Sequence, residues 1–131
     1  MLRIVVTAAL LLPCFAQATS LKDFELTKTL EKVAQQSSQG TPRAINEDIL
    51  DQGYSVEGVN LINHLSVRAS HAMQMRSNPD TVRQQLQNSV CSNPGFRQLL
   101  QKGAVLRYEF REYQSQEAVL TERFNASDCG L

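Results

Sequence analysis

His64 and His71 are the only histidines of this 131-residue chain, and histidine is the usual general base near neutral pH. A Ser–His–Asp triad can be drawn from Ser66, His64 and Asp51, but no serine lies in a G-x-S-x-G or S-x-x-K motif. Zinc would need several converging ligands, and neither H-x-x-x-H nor H-E-x-x-H occurs. We therefore predict no metal, no cofactor and no catalytic residues, and keep hydrolysis through His64 as an alternative.

Arginines offer a second kind of chemistry, the binding of anionic groups. If the last two strands form a hairpin, Arg107 and Arg123 face each other on the polar side of the sheet, where like charges repel. The sequence allows two interpretations of this pair, and in the first it belongs to a surface for an anionic or acidic partner. In the alternative interpretation, Glu109 and Glu122 reach across and neutralise the arginines. The candidate binding residues are His64, Arg68, Arg107 and Arg123.

The N-terminus has the three-part layout of a secretory signal peptide. Arg3 supplies a positive charge, residues 4–13 are almost wholly apolar, and Ala16-Gln17-Ala18 forms an A-x-A cleavage site. The apolar run is about half the roughly 20 residues that a membrane span needs. We predict a signal peptide at 1–18 and a single domain at 19–131, with a periplasmic or secreted location and no membrane span after cleavage.

Three cysteines are present, and export decides how they are interpreted. Cys14 leaves with the signal peptide, and Pro13 stands where a lipidation motif requires a small residue. Cys91 and Cys129 remain, and an even pair in an oxidising compartment predicts a structural disulfide. The alternative, a redox or nucleophilic thiol, has no C-x-x-C spacing to support it.

Hydrophobic periodicity predicts one helix, then two strands, two helices and two more strands. Asn-Pro pairs at 78–79 and 93–94 are typical of a capped helix start, and Gly53 is expected to bend the first strand. The helices are expected at 21–38, 78–91 and 93–103, and the strands at 49–57, 59–68, 104–112 and 117–124.

Placing inward residues against inward residues in the last two strands sets Phe110 opposite Leu120 and Leu106 opposite Phe124. The order α-β-β-α-α-β-β predicts an α+β domain, with a four-stranded antiparallel sheet and about three helices packed on one face. The predicted core comprises Leu106, Tyr108, Phe110, Leu120 and Phe124 of the sheet, against Phe24, Leu30, Val82, Leu86, Phe96 and Leu99 of the helices.

The overall charge limits the possible partners. Thirteen Lys and Arg residues balance 13 Asp and Glu residues, so the formal net charge is +0. A basic field for nucleic acid or anionic lipid is therefore not expected.

Four segments carry a resemblance to a known family: GTPRAINEDILD at 40–51, NHLSVR at 63–68, MRSNPD at 75–80 and VCSNP at 90–94. They resemble the putative quorum-sensing-regulated virulence factor family of small secreted pseudomonad proteins. The resemblance covers nearly the whole mature chain. It implies a bacterial periplasmic or exported protein with an α/β sandwich-like domain, and it implies no catalytic residues.

A looser resemblance covers the C-terminal third. The frame C…R-x-L-L-x-x-G…Y…C is similar to that of small periplasmic proteins, including one class of type II secretion pilotins. Its residues here are Cys91, Arg97, Leu99, Leu100, Gly103, Tyr108 and Cys129.

These observations together predict an exported, non-enzymatic protein-interaction module that is associated with virulence. Its partner is expected to be a protein in the envelope or outside the cell. Two alternatives stay open. One is a small exported hydrolase using His64, which a concave pocket around that residue would favour. The other is a pilotin-like envelope chaperone, which an exposed apolar groove would favour.

Overall fold

The computed structural model describes the backbone of residues 15–131 and the side chains of residues 21–131. Residues 1–14, which hold most of the predicted signal peptide and Cys14, lie outside the described residues. Cleavage after Ala18 therefore stays a prediction, and so does the domain boundary at Thr19.

Within residues 15–131 the chain forms four α-helices, five strands and a terminal 3-10 helix. The elements are α1 (Phe15–Ser37), β1 (Arg43–Ala44), β2 (Ile49–Glu57), β3 (Asn60–Val67), α2 (Ala69–Ser77), α3 (Pro79–Ser92), α4 (Pro94–Gln101), β4 (Val105–Glu112), β5 (Ala118–Phe124) and the 3-10 helix Ala126–Cys129.

Local sequence signals account for the starts of α3 and α4. Pro79 and Pro94 occupy first-turn positions, where proline presets the helical φ angle. The Asn93 side chain caps α4 by accepting a 3.1 Å hydrogen bond from the Phe96 backbone N–H. Asn78 behaves differently from the prediction, because its side chain donates to the Gln74 carbonyl and so closes the end of α2 instead.

The sheet differs from the predicted four-stranded antiparallel arrangement. Its order in the described chain is β1-β2-β3-β4-β5, and β3 and β4 run parallel, so the sheet is mixed. Helices α2, α3 and α4 form the crossover that a parallel pair requires. Hydrophobic periodicity does not predict α2, because this nine-residue helix has no broad apolar stripe and buries only Ala72 and Met75.

The predicted register of the last hairpin is confirmed. Phe110 pairs with Leu120, and Leu106 pairs with Phe124. The predicted irregularity at Gly53 is also present, since the β2–β3 register shifts between Asp51 and Gly53, and Gly53 adopts a φ of 106°. This conformation favours glycine.

One hydrophobic core lies between the sheet and the helices. Leu30 and Phe124 are fully buried at its centre. The prediction that Phe24 lies in this core is wrong, because its side chain is 60% exposed. The buried stripe of α1 is Leu26–Leu30–Ala34, and Phe24 lies about 200° around the helix from Leu26 at about 100° per residue.

The predicted disulfide is present. Cys91 near the end of α3 bonds to Cys129 in the terminal 3-10 helix, with a Cα–Cα distance of 5.2 Å. It fastens the segment after β5 to the helical layer. None of the helices in the described part of the chain is long and apolar enough to cross a membrane.

Candidate binding face

Helices cover one side of the sheet, and we call the other side the open sheet face. The core cluster joins helix residues such as Leu30 and Leu99 to Leu65 and Phe110 of the sheet, so the alternate strand residues point the opposite way. Within the described chain no helix packs on that opposite side. The open sheet face is formed by Ser55, Glu57, Ile62, His64, Ser66, Arg107, Glu109, Arg111, Thr121 and Arg123.

A chain of polar contacts crosses this face from β2 to β4. The Ser55 Oγ lies 2.6 Å from the His64 Nε2. The His64 Nδ1 lies 3.6 Å from the Glu109 Oε2, and the Arg107 Nη2 lies 3.0 Å from the Glu109 Oε1. The same Arg107 Nη2 contacts the Glu57 carboxylate at 3.2 Å. His64 and Arg107, two of the predicted binding residues, are therefore already engaged with acidic partners.

Arg107 and Arg123 are cross-strand partners, as the hairpin register predicts. Their surroundings differ. The Arg107 side chain is only 13% exposed and lies between Glu57 and Glu109. Arg123 is exposed, and it has no ion pair with any residue that the structure describes. The positive charge that this face presents to solvent therefore resides on Arg123 rather than Arg107.

Of the two glutamates considered as neutralising the facing arginines, only Glu109 contacts one of them, Arg107. Glu122 points to the helical side of β5, where the Arg83 Nη1 lies 2.6 Å from its Oε2. Arg83 also contacts Asp128 at 3.3 Å and stacks over the Phe124 ring at 4.6 Å. Glu122 therefore takes no part in the open sheet face.

Arg68 does not lie within the sheet. β3 ends at Val67, and Arg68 is the exposed residue immediately before α2, with its backbone N–H donating to the Asp48 carbonyl at 3.0 Å. It lines a cavity of about 360 Å³ at the end of the strands, together with Leu50, Val67 and Tyr113. The cavity is separate from the contacts that surround His64.

His64 is not joined by the serine and aspartate considered from the sequence. Ser66 accepts a hydrogen bond from the Gln52 side chain at 3.2 Å. Asp51 is buried on the helical side, where it accepts from the Gly53 N–H at 2.9 Å and from Asn63 at 3.0 Å. Sequence reasoning missed Ser55 and Glu109 as the neighbours of His64, since finding Glu109 requires the parallel β3–β4 register.

His71, the other histidine, does not form a second candidate site among the described residues. The His71 Nδ1 lies 3.8 Å from the Asp48 carboxylate, near the start of α2. Among the described residues, no group of three or more His, Cys, Asp or Glu side chains is arranged to hold a metal ion.

The two edges of the sheet are poorly suited to adding a strand. Along β5, the Arg76 side chain donates to the Ala118 carbonyl at 3.0 Å, and Arg83 donates to the Arg123 carbonyl at 3.1 Å. At the other edge, β1 contains only Arg43 and Ala44. Short, charged or covered edges discourage pairing with another chain. The open sheet face is thus better exposed to a partner than either edge.

Two tyrosines on the helical side have perturbed acidities. Burial raises the pKa of Tyr54, and the nearby Asp51 carboxylate raises it further. Burial likewise raises the pKa of Tyr108 well above its ordinary value, with a smaller contribution from Tyr54. Both follow from removing a phenolate from water, so they report on the core rather than on the open sheet face.

Several solved structures are similar to this chain over most of its length. A putative secreted protein from Pseudomonas aeruginosa is 72% identical, with a TM-score of 0.82, covering 83% of this chain and 96% of that one. The pilotin EpsS from Vibrio vulnificus is 15% identical (TM-score 0.66, covering 84% and 96%). The type II secretion system pilotin AspS from Vibrio cholerae is 16% identical (TM-score 0.67, covering 86% and 99%). The two pilotins show a shared fold.

No curated protein matches this chain. The family described as "Putative quorum-sensing-regulated virulence factor" matches residues 19–130. The predicted localisation, periplasmic or secreted, is confirmed by this match together with the secreted relative. The match covers all but the last residue of the predicted mature domain, and the chain therefore belongs to the family of putative quorum-sensing-regulated virulence factors.

Proposed function

We propose that this protein is an exported interaction module that binds a partner protein through its open sheet face. Membership of a virulence-factor family and the exported location support a role outside the cytoplasm. The pilotins that share the fold belong to a type II secretion system, a setting in which proteins bind one another. The partner is accordingly sought in the envelope or outside the cell.

The exposed Arg123 opposite Arg107 is the observation that carries this proposal. Facing arginines on adjacent strands repel each other, and only Arg107 is compensated by carboxylates. A carboxylate from a partner would relieve the repulsion and form a charge-assisted hydrogen bond with Arg123. Arg111, exposed on the same face of β4, adds a second cation.

The expected partner therefore presents an acidic segment that lies across β4 and β5. His64 and Arg107 would border this contact rather than form its centre, because their side chains are held by Ser55, Glu57 and Glu109. Arg68, at the far end of the face, would contact only a partner long enough to reach the cavity beside Tyr113.

The test is affinity capture from periplasm and culture medium with the mature protein, followed by mass spectrometry. Arg123→Glu should abolish retention of the partner. The matched control is Lys32→Glu, which reverses one exposed charge on α1 and should retain the partner as wild type does. Equal capture by both variants would exclude the open sheet face.

A pilotin-like chaperone is the second candidate, and one feature of the helical side favours it. A cavity of about 310 Å³ lies between α1 and α4, lined in part by Val33, Phe96 and Leu99. Apolar surface of this kind is typical of sites that receive an amphipathic helix. Two exposed residues of the same region, Gln98 and Lys102, also line this cavity.

The two candidates predict opposite results in one capture experiment. If the cavity between α1 and α4 binds the partner, the double variant Gln98→Glu/Lys102→Glu loses the partner and Arg123→Glu keeps it. If the open sheet face binds, the losses are reversed. Both sets of side chains are exposed, so circular dichroism should show that each variant keeps the fold.

A further inference from the structure

We propose that Ser55, His64 and Glu109 form an acyl-transfer site, in which Ser55 attacks small carboxylic esters. This activity is additional to partner binding and does not depend on it.

The geometry places each group in the order that nucleophilic catalysis requires. The His64 Nε2 is 2.6 Å from the Ser55 Oγ, within reach for removing the hydroxyl proton. The other ring nitrogen, Nδ1, faces the Glu109 carboxylate at 3.6 Å. A carboxylate at Nδ1 favours the tautomer that leaves Nε2 free to accept a proton, and it stabilises the imidazolium that results.

Glu109 is itself held in place. Its two carboxylate oxygens are divided between two partners, with Oε1 contacting Arg107 and Oε2 facing His64. The Arg107 side chain is 13% exposed, and the Nη2 that contacts Glu109 also contacts the Glu57 carboxylate at 3.2 Å. Arg107 is therefore a positioning residue that fixes Glu109 relative to the imidazole ring.

The nucleophile is accessible. Ser55 is exposed on β2, whereas Ser66 on the same face is buried at 5% exposure and bonded to Gln52. An exposed hydroxyl can be hydrogen-bonded by water, so folding does not require the Ser55–His64 contact to satisfy it. The contact is thus available for chemistry.

The reaction balances with water as the only other reactant. The Ser55 Oγ bonds to the ester carbonyl carbon while the His64 Nε2 takes the hydroxyl proton. The bond to the leaving oxygen then breaks, and His64 returns the proton to that oxygen, which leaves an acyl-serine and a free alcohol. Water repeats the sequence, releasing the carboxylic acid and restoring Ser55.

Because Ser55 is exposed, its surroundings determine which esters can react and how fast they react. The Arg107 charge is balanced by two carboxylates, so the surface beside Ser55 does not select a charged ester. The oxyanion forms on an exposed face where water solvates it. The expected acceleration is therefore that of general-base assistance, about 10²–10⁴-fold, and it favours small uncharged esters with a good leaving group.

The experiment uses 4-nitrophenyl acetate with the disulfide-intact mature protein. Nitrophenolate release is followed by absorbance, and the acetylated residue is located by peptide mass spectrometry. Ser55→Ala and His64→Asn should each lower release by about tenfold or more, with no acetyl group on the Ser55 position. Glu109→Gln should lower it less, since the nucleophile and base remain. The matched control is Ser115→Ala, which changes an exposed serine in the β4–β5 turn and should behave as wild type.

Two outcomes would overturn the proposal. One is acetylation elsewhere with Ser55 unmodified. The other is an unchanged rate in Ser55→Ala, which would mean that the imidazole reacts alone. If His64→Asn fails to fold by circular dichroism, His64→Gln is measured against the same expectation.

Discussion

Arg107 and Arg123 are direct partners on antiparallel strands, so their side chains leave the same face of the sheet although only Arg107 is compensated by carboxylates. Like charges directly opposite each other on adjacent strands cost stability. The relationship therefore yields a stability test that complements partner capture.

Arg123→Glu should raise the free energy of unfolding by roughly 0.2–1 kcal/mol, because it replaces a like-charge cross-strand pair with an opposite-charge pair. Thr121→Glu is the matched control: it sets a second carboxylate opposite Glu109 and should be destabilising by a similar amount. Urea unfolding at low and high salt measures both changes, which should shrink as salt screens them. A less stable Arg123→Glu protein would contradict the prediction.

Phe110→Ala should lower the free energy of unfolding by about 3–5 kcal/mol, because it opens a cavity under the sheet. The Phe110 side chain is 5% exposed and belongs to the core cluster. Phe24→Ala is the same substitution at a side chain that is 60% exposed, and it should stay within about 0.5 kcal/mol of wild type. Urea denaturation compares the pair, and similar losses in the two variants would reject the assigned core.

Removing the Cys91–Cys129 disulfide should lower stability by roughly 2–4 kcal/mol, since it releases a closed loop of the unfolded chain. The two cysteines are 38 positions apart. The measurement is denaturant unfolding of the double variant Cys91→Ala/Cys129→Ala and of the reduced wild type. Protein from an oxidising compartment that shows two titratable thiols would disprove the bond.

Tyr108 should make the fold sensitive to alkali. Its pKa is raised in the native state by burial, so the neutral phenol is the form that folding favours. Its contribution to stability is complete below the unfolded pKa of about 10 and is lost as pH rises through the native pKa. In Tyr108→Phe the free energy of unfolding should fall less steeply above about pH 10. If the free energies of unfolding of the two proteins fall in parallel with pH, Tyr108 does not cause the loss of stability in alkali.

The exported protein should begin at Thr19 and carry no lipid. Cleavage after Ala18 would shorten α1, whose described start is Phe15, and would leave the buried stripe from Leu26 onward intact. Intact mass of the protein recovered from periplasm or medium measures the start directly. A chain that begins at Cys14 with a diacylglycerol adduct would refute the prediction.

The sequence determined the elements whose signals are local. Alternation with a period of two assigned Leu106, Phe110 and Phe124 to the buried face, and the same alternation set the register that pairs Arg107 with Arg123. A shift by one residue would expose every apolar side chain, so the pattern fixes the hairpin. Asn-Pro pairs marked the starts of two helices for a similarly local reason.

Which strands are neighbours, and in which direction they run, depends on contacts between elements that are far apart in the sequence. Alternation is the same in parallel and antiparallel strands, so nothing within β3 or β4 indicates their parallel pairing. That pairing depends on three helices folding back across the sheet, and it alone brings Glu109 beside His64 and Arg107. The exposure of Phe24, by contrast, follows from local helix geometry, because it lies about 200° around α1 from Leu26, whereas the stripe that contains Leu30 packs against the sheet.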